Sequence, residues 1–153
     1  MRCSSFVMLI ALLTAASTRD AHAQRAVSLG VAAGLPLANP DGQHGMLTLE
    51  IGARRIPVRF RSELSVTDSR DRGRVYQATG SFLVPFIERP LSPYLVGGIA
   101  FGINQWDGGP QPGGEGVRAG LGLRYRIGER ILFAENAYHW GFERSLLTFG
   151  VQF

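Results

Sequence analysis

The sequence predicts an all-β protein, an eight-stranded antiparallel up-and-down β-barrel that spans a lipid bilayer. Three observations lead to this class. Apolar residues alternate with small or polar ones at a period of two along most of the chain, which is typical of strands with one apolar face. The chain opens with an export segment, and no later apolar run is long enough for a transmembrane helix. The last strand ends on a phenylalanine, as closing strands of outer-membrane barrels do.

Residues 1–23 have the pattern of a secretory signal peptide that is removed on export. Arg2 gives the positive start, an apolar stretch follows, and Ala21-His22-Ala23 gives the small-residue cleavage site. We therefore expect residues 24–153 to form one outer-membrane barrel domain. Cys3 is the single cysteine and lies in the removed part, so the mature chain is expected to fold without disulfides.

The formal net charge of +4 is the difference between sixteen basic residues, all of them arginine, and twelve acidic ones. They are scattered over the predicted strands and turns rather than gathered in one segment. Nucleic-acid binding needs a concentrated basic surface, and an exported chain seldom meets nucleic acid. We therefore expect no nucleic-acid partner.

The first four strands are predicted in the first half of the mature chain. The first alternates valine and leucine with glycine, alanine and serine, and the second alternates leucine and isoleucine with threonine and glutamate. The third sets phenylalanine and leucine against arginine and glutamate, and the fourth sets aromatic and aliphatic residues against glutamine, threonine and serine. These four predicted strands cover residues 26–35, 46–53, 58–67 and 74–86.

The last four strands follow the same pattern. The fifth and sixth place leucine, isoleucine and valine opposite glycine, alanine and arginine, while the seventh opposes leucine and tyrosine to glutamate and histidine. These predicted strands cover residues 94–103, 117–126, 131–140 and 146–153. Residues 104–116, with five glycines and two prolines, are predicted to be a loop.

The even strand count brings both ends of the barrel domain to the same side, which for an exported chain is the periplasm. The connections 36–45, 68–73, 104–116 and 141–144 are then expected to face outward. The connections 54–57, 87–93 and 127–130, which are shorter on average, are expected to face the periplasm.

With these patterns the chain resembles the eight-stranded outer-membrane barrels typified by outer-membrane proteins A and W. The resemblance rests on the segments 92–99 (SPYLVGGI) and 120–125 (GLGLRY), the turn Gly128-Glu129-Arg130, and the terminal strand. It implies a location in the outer membrane of a Gram-negative envelope and implies no particular activity. The outer-membrane lipid and the barrel assembly machinery are the partners it implies, and the sequence identifies no surface ligand.

The polar face of the strands is predicted to point into the barrel, where charged side chains must pair because little water is present. A tight turn after the second strand would set Glu50 opposite Arg61, and Glu135 would lie within diagonal reach of Arg124. A narrow gated, porin-like pore or proton path is one interpretation, and an ion-paired plug is the one we favour. The predicted interior ion pairs involve Glu50, Arg59, Arg61, Glu63, Arg118, Arg124 and Glu135, with Arg126 also on this face.

The terminal strand carries apolar residues two apart up to its last position, a pattern that resembles the signal read by the outer-membrane assembly machinery. The residues of this predicted assembly signal are Leu147, Phe149, Val151 and Phe153.

The leading interpretation is an integral outer-membrane β-barrel of structural or interaction type, with its outer loops as the contact surface, and two other functions are alternatives to it. A soluble lipocalin-like barrel would need an apolar interior for its ligand, whereas the predicted interior is glycine and charge. A lipid A-modifying enzyme would need a catalytic constellation, for which His139, Glu143 and Ser145 are the candidates, but their spacing is unsuitable. We therefore expect no enzymatic activity and no cofactor. We also expect no metal, because His44 and His139 lack neighbours with the spacing of metal ligands.

Overall fold

The computed structural model describes residues 27–37, 42–52, 57–69, 73–87, 89–106 and 109–153. The predicted export segment, residues 1–23, lies outside them. Within these residues the chain forms eight strands and one short 3-10 helix, η1. The elements are β1 Val27–Pro36, β2 Gln43–Gly52, β3 Arg59–Ser69, β4 Gly73–Pro85, β5 Leu91–Trp106, β6 Gly109–Ile127, β7 Arg130–His139, η1 Trp140–Phe142 and β8 Arg144–Gln152.

The strands close into a barrel in sequence order. Each strand pairs with the next in antiparallel fashion, and β1 pairs with β8 from Gly30↔Gln152 to Pro36↔Leu146. Closure leaves no free sheet edge around the wall, so the backbone hydrogen bonds of the wall are made within the sheet. The prediction of an eight-stranded antiparallel up-and-down barrel is confirmed.

The barrel has two distinct ends. Val27, Phe153 and the connections β2–β3, β4–β5 and β6–β7 lie at one end, which we call the turn end. The connections β1–β2, β3–β4, β5–β6 and β7–β8 lie at the other, which we call the loop end. The terminal residue is attached to the wall, because the Phe153 N–H donates to the Leu29 carbonyl at 2.8 Å.

The two faces of the wall differ sharply in chemistry. Large apolar side chains point outward and are exposed, with Leu64 at 62%, Leu121 at 60% and Phe82 at 58% exposure. Residues of the alternate register point inward and are buried, and many of them are polar or charged. A water-soluble barrel has the opposite arrangement, so the outer face of this barrel is suited to lipid.

The prediction of a loop over residues 104–116 is wrong. β5 continues to Trp106 and β6 starts at Gly109, so most of this segment is a two-stranded ribbon with a register shift between Phe101 and Ile103. Pairing of β6 with β7 ends at Arg118↔His139. Among the described residues, the part of β6 that precedes Arg118 therefore pairs with β5 on one edge and has no strand on its other edge. Prolines are tolerated on such an edge, which explains why the Gly- and Pro-rich composition did not end the strand.

Smaller differences concern the ends of elements. β2 starts at Gln43 rather than Met46, and β5 starts at Leu91 inside the predicted turn 87–93. Trp140 belongs to η1 instead of the seventh strand, and the chain leaves η1 through Glu143 with a left-handed backbone at φ 47°. β8 therefore begins at Arg144, two residues before the predicted start.

Candidate functional site

Among the described residues, six charged side chains in the barrel interior are almost completely shielded from solvent. Three are carboxylates and three are guanidinium groups, so their formal charges balance. Since a buried charge is tolerated only when it is paired, equal numbers are what a closed interior requires. The six residues, with their exposures, are Glu50 1%, Glu63 2%, Glu135 1%, Arg61 0%, Arg118 3% and Arg124 6%.

Glu135 is the centre of the network in the middle of the barrel. Its Oε2 accepts hydrogen bonds from Arg61 Nη1 at 2.9 Å and from the Tyr94 hydroxyl at 2.8 Å. Its Oε1 accepts from Arg118 Nη2. Arg118 also donates to Glu63, which in turn lies 3.4 Å from Arg61 Nη1. Two carboxylates and two guanidinium groups therefore form one connected cluster across the lumen.

Glu50 organises a second cluster nearer the turn end. Arg124 Nη2 donates to Glu50 Oε1 at 2.7 Å, and Gln152 Nε2 donates to Oε2 at 2.8 Å. Arg61 Nε lies 3.5 Å from Glu50 Oε2 and so joins the two clusters. Arg59 contacts Glu50 at 3.4 Å, but its side chain is 29% exposed and lies at the mouth of the barrel.

The guanidinium groups of Arg61 and Arg124 also lie over aromatic rings. The Arg61 Cζ lies 4.9 Å from the centroid of Phe133 and 5.8 Å from that of Tyr94, and Arg124 Cζ lies 5.7 Å from Tyr94. Arg61 Nη2 has no hydrogen-bond partner among the described residues. The two aromatic rings beside Arg61 therefore give its cation a favourable neighbour where hydrogen bonds are lacking.

The predicted pairings are partly right. Glu50 stands opposite Arg61 in the register of β2 and β3, as a tight turn required. Arg124 stands diagonally across from Glu135 in the register of β6 and β7, as expected, but its hydrogen bonds go to Glu50 and Gln152. Glu135 is opposite Gly122, and its partners reach it from β3, β5 and β6.

Arg126 is exposed rather than part of the interior network. Although it has the inward register of β6, it is the next-to-last residue of that strand and lies at the open turn end. A position at the end of a strand frees a long side chain to reach solvent.

Sequence reasoning missed two partners of the network, Tyr94 and Gln152. Tyr94 is fully buried and bonds to Glu135, while Gln152 bonds to Glu50 and Arg124. The signal was available, because Tyr94 shares the inward register with Gly98 and Ala100. Gln152 likewise alternates with the outward residues Val151 and Phe153.

The loop end of the interior has its own polar layer. His44 Nδ1 lies 2.9 Å from the Thr67 hydroxyl, and Arg144 donates to the Gln77 side chain. Phe142 of η1 is buried and packs in a cluster with Val75 and Ala100. The helix η1 thus places the Phe142 ring in the mouth of the barrel at the loop end.

The candidate triad is not assembled. His139 is buried on the inner face, whereas the Ser145 hydroxyl donates to Asn136 on the outer face at 2.8 Å. Glu143 is exposed in the connection after η1. Within the described residues no group of three or more His, Cys, Asp or Glu side chains could hold a metal ion.

The residues of the predicted assembly signal lie in one outward row that runs along β8 and ends at Phe153, the residue after that strand. Phe149 is 56% exposed, and Leu147, Val151 and Phe153 are half-buried. The Arg130 guanidinium lies 5.8 Å from the centroid of the Phe153 ring. The row faces the same side as the other exposed apolar residues of the wall.

Comparison with known proteins agrees on the fold. The chain is similar to the crystal structure of Neisserial surface protein A, with a TM-score of 0.62 and 15% identity over 82% of this chain and 94% of that one. It is also similar to a transmembrane β-barrel designed de novo, with a TM-score of 0.58 and 12% identity over 83% of this chain and 92% of that one. At these identities the likeness defines the class of fold, a closed eight-stranded barrel.

No protein-family model matches the sequence, and no curated protein matches it significantly. The resemblance to outer-membrane proteins A and W is therefore supported at the level of the barrel alone. In the described part of the chain, no helix is both long and apolar enough to cross a membrane.

Proposed function

We propose that this chain is an integral outer-membrane β-barrel of structural or interaction type, with a lumen closed by its own side chains. One observation carries the proposal: the wall is apolar outside and charged inside, and the inner charges are paired with one another. An outward apolar face needs lipid, and a paired interior needs neither a ligand nor a permeant ion.

Two further observations support the outer membrane as the location. The sequence has the pattern of an export signal, and the fold is shared with designed transmembrane barrels. An even number of strands places the first and last strand ends of an exported barrel on the periplasmic side, so we assign the turn end, where Val27 and Phe153 lie, to that side. The β5–β6 ribbon and η1 then lie at the cell surface, where they form the contact surface for partners. In this proposal the row ending at Phe153 is recognised by the assembly machinery.

The interior clusters support a closed lumen. Arg61, Glu135 and Arg118 meet across the barrel, and Tyr94 fills the space beside them. An eight-stranded barrel has room for little more than its own side chains. A conducting path would require these groups to separate, which leaves buried charges without partners.

The soluble alternative is not favoured by this geometry. A lipocalin-like barrel would place Leu64, Leu121 and Phe82 inside and its charges outside, whereas here the reverse holds. An enzymatic role on lipid has no support from His139 and Ser145, which lie on opposite faces of the wall. We therefore propose a non-enzymatic barrel without a cofactor.

Membrane fractionation followed by planar-bilayer recording tests the proposal. The mature protein is expected in the outer membrane, resistant to carbonate extraction, and purified protein is expected to give no steady current. Recovery in the soluble periplasm would refute the membrane location. A steady ion-selective current that changes in Glu135→Gln would instead refute the closed lumen and favour a pore.

A further inference from the structure

Exposed charge is distributed unevenly between the two ends of the barrel. Among the described residues, the exposed charges at the turn end are three arginines and a single acid: Arg89, Arg126, Arg130 and Glu129. The described exposed charges at the loop end are three acids and one arginine: Asp68, Glu115, Glu143 and Arg74. Arg74 is already paired with Asp68 at 2.9 Å. In the part of the chain that the structure describes, the exposed positive charge in excess of exposed acid therefore lies at the turn end.

These three turn-end arginines belong to neighbouring turns. The Arg126 N–H donates to the Pro90 carbonyl at 2.8 Å, which holds the end of β6 against the residue that follows Arg89. Arg126 and Arg130 flank the tight β6–β7 turn, whose last pair is Ile127↔Arg130. All three are exposed. We call Arg89, Arg126 and Arg130 the arginine collar.

The collar borders the apolar outer face of the barrel. Beside Arg89 and Arg126 lie four exposed apolar side chains of the same turns: Phe86 59%, Ile87 46%, Leu91 51% and Ile127 53%. Arg130 lies over the ring of Phe153, the last aromatic residue of the wall. Arginine at the edge of an apolar surface places its stem on that surface and its charge at the level of lipid headgroups.

We propose that the arginine collar binds the phosphate groups of anionic glycerophospholipids in the leaflet around the turn end. A guanidinium group offers paired N–H donors that match phosphate oxygens, and several such groups near an anionic leaflet reinforce one another. The position beside exposed apolar residues favours a lipid over a soluble anion, because acyl chains can cover Phe86 and Ile127 while the headgroup meets the arginines. This inference rests on the proposed membrane function.

The test measures lipid binding to the purified, folded barrel in neutral detergent by native mass spectrometry. The probe is phosphatidylglycerol, with phosphatidylcholine for comparison. The variant Arg89→Gln/Arg126→Gln/Arg130→Gln removes the collar, and Arg74→Gln at the loop end is the matched control. Each arginine lost is expected to weaken phosphatidylglycerol binding by about fivefold at low salt, and Arg74→Gln is expected to bind as the wild type does. Added salt should reduce the difference.

A second set of variants separates charge from structural damage. Replacement of the three arginines by lysine keeps the charge, so it should retain most of the phosphatidylglycerol binding while the glutamine variant loses it. Equal binding by the wild type and the glutamine variant would overturn the proposal. Tighter binding of lipid A phosphates or of soluble cell-wall peptides than of phosphatidylglycerol would overturn the choice of ligand.

Failure of the collar and failure of the membrane function give different results. If the wild type does not insert as a heat-modifiable barrel into vesicles of phosphatidylcholine alone, the membrane function itself is refuted, and the collar with it. If it inserts but shows no preference for phosphatidylglycerol, the collar alone is refuted.

Discussion

Replacing Glu135 by glutamine should destabilise the barrel without opening it. The substitution keeps the size of the side chain but removes the charge that Arg61 and Arg118 share. Glu63 is then the one carboxylate of the central cluster, facing two guanidinium groups that are 0% and 3% exposed. Breaking a buried ion pair by removing one partner typically costs about 3–5 kcal/mol. We expect a loss of this size, reduced somewhat because the Tyr94 hydroxyl can still donate to the amide oxygen.

Urea unfolding of the purified barrel in lipid vesicles measures the effect, with heat modifiability on gels as the readout of folded protein. The matched control is Glu129→Gln, which removes the same charge from an exposed turn and should leave the unfolding midpoint unchanged. Glu50→Gln should resemble Glu135→Gln, because Glu50 is equally buried and holds Arg124 at 2.7 Å.

A double variant distinguishes lost pairing from general damage. Glu135→Gln combined with Arg118→Gln restores equal numbers of buried positive and negative groups. The pair should therefore be less destabilised than the sum of the two single variants, by about 1 kcal/mol or more. Unfolding of Glu135→Gln at the wild-type urea concentration, or strict additivity in the double variant, would show that these groups are not paired as described.

Two further predictions concern packing and assembly. Gly122→Ala would place a methyl group on the ring of fully buried Tyr94 and should lower the free energy of unfolding by about 1–3 kcal/mol in the same urea assay. Gly97→Ala is the control and should be neutral, because the nearest neighbour of the added methyl group is 3.9 Å away. Equal stability of the two variants would contradict this packing. Deletion of Phe153 should lower the amount of assembled barrel in cells and leave unfolded chain in the periplasm. The control Phe153→Tyr keeps an aromatic ring and should assemble. An unchanged amount of heat-modifiable protein after the deletion would argue against a role of Phe153 in assembly.

The orientation of the residues was predictable because alternation is a local property. A period of two assigns every second side chain to the same face, whatever the strand pairs with. Glu50, Arg61 and Glu135 could therefore be placed inside from sequence alone. The pairing of Glu50 with Arg61 was also within reach, because the connection between β2 and β3 is short.

Partners across the lumen could not be predicted in this way. Arg61 and Glu135 are 74 positions apart in sequence, and they meet only because the closed sheet brings β3 to face β7. The stagger of the strands decides which inward residues lie at the same height along the barrel axis. Local alternation does not define that stagger. Arg124 lies within diagonal reach of Glu135 as expected, yet it bonds to Glu50 on β2, and that choice could not be read from the neighbouring strand.

The β5–β6 ribbon was missed because composition was given more weight than pairing. Glycine and proline indicate loops on average, yet they do not end a strand whose outer edge needs no hydrogen-bond partner. Gly116 shows a further constraint that composition hides. A Cβ there would lie 2.5 Å from the Gly141 nitrogen and 2.6 Å from its Cα, so the two glycines let η1 approach β6. The glycines of the ribbon thus permit close packing as well as turning.

Two aromatic residues in the barrel interior each pack against a glycine of another strand, beside a buried charged group. Tyr94 occupies the space that a side chain at Gly122 would need, and Phe133 does the same at Gly150. These two rings flank the Arg61 guanidinium, which the carboxylates hold from the remaining sides. Glycine on one strand therefore makes room for a ring from another, and the ring in turn separates the cation from the wall. A glycine that looks like a weak point in an isolated strand is, in the closed barrel, what allows the charged network to be enclosed.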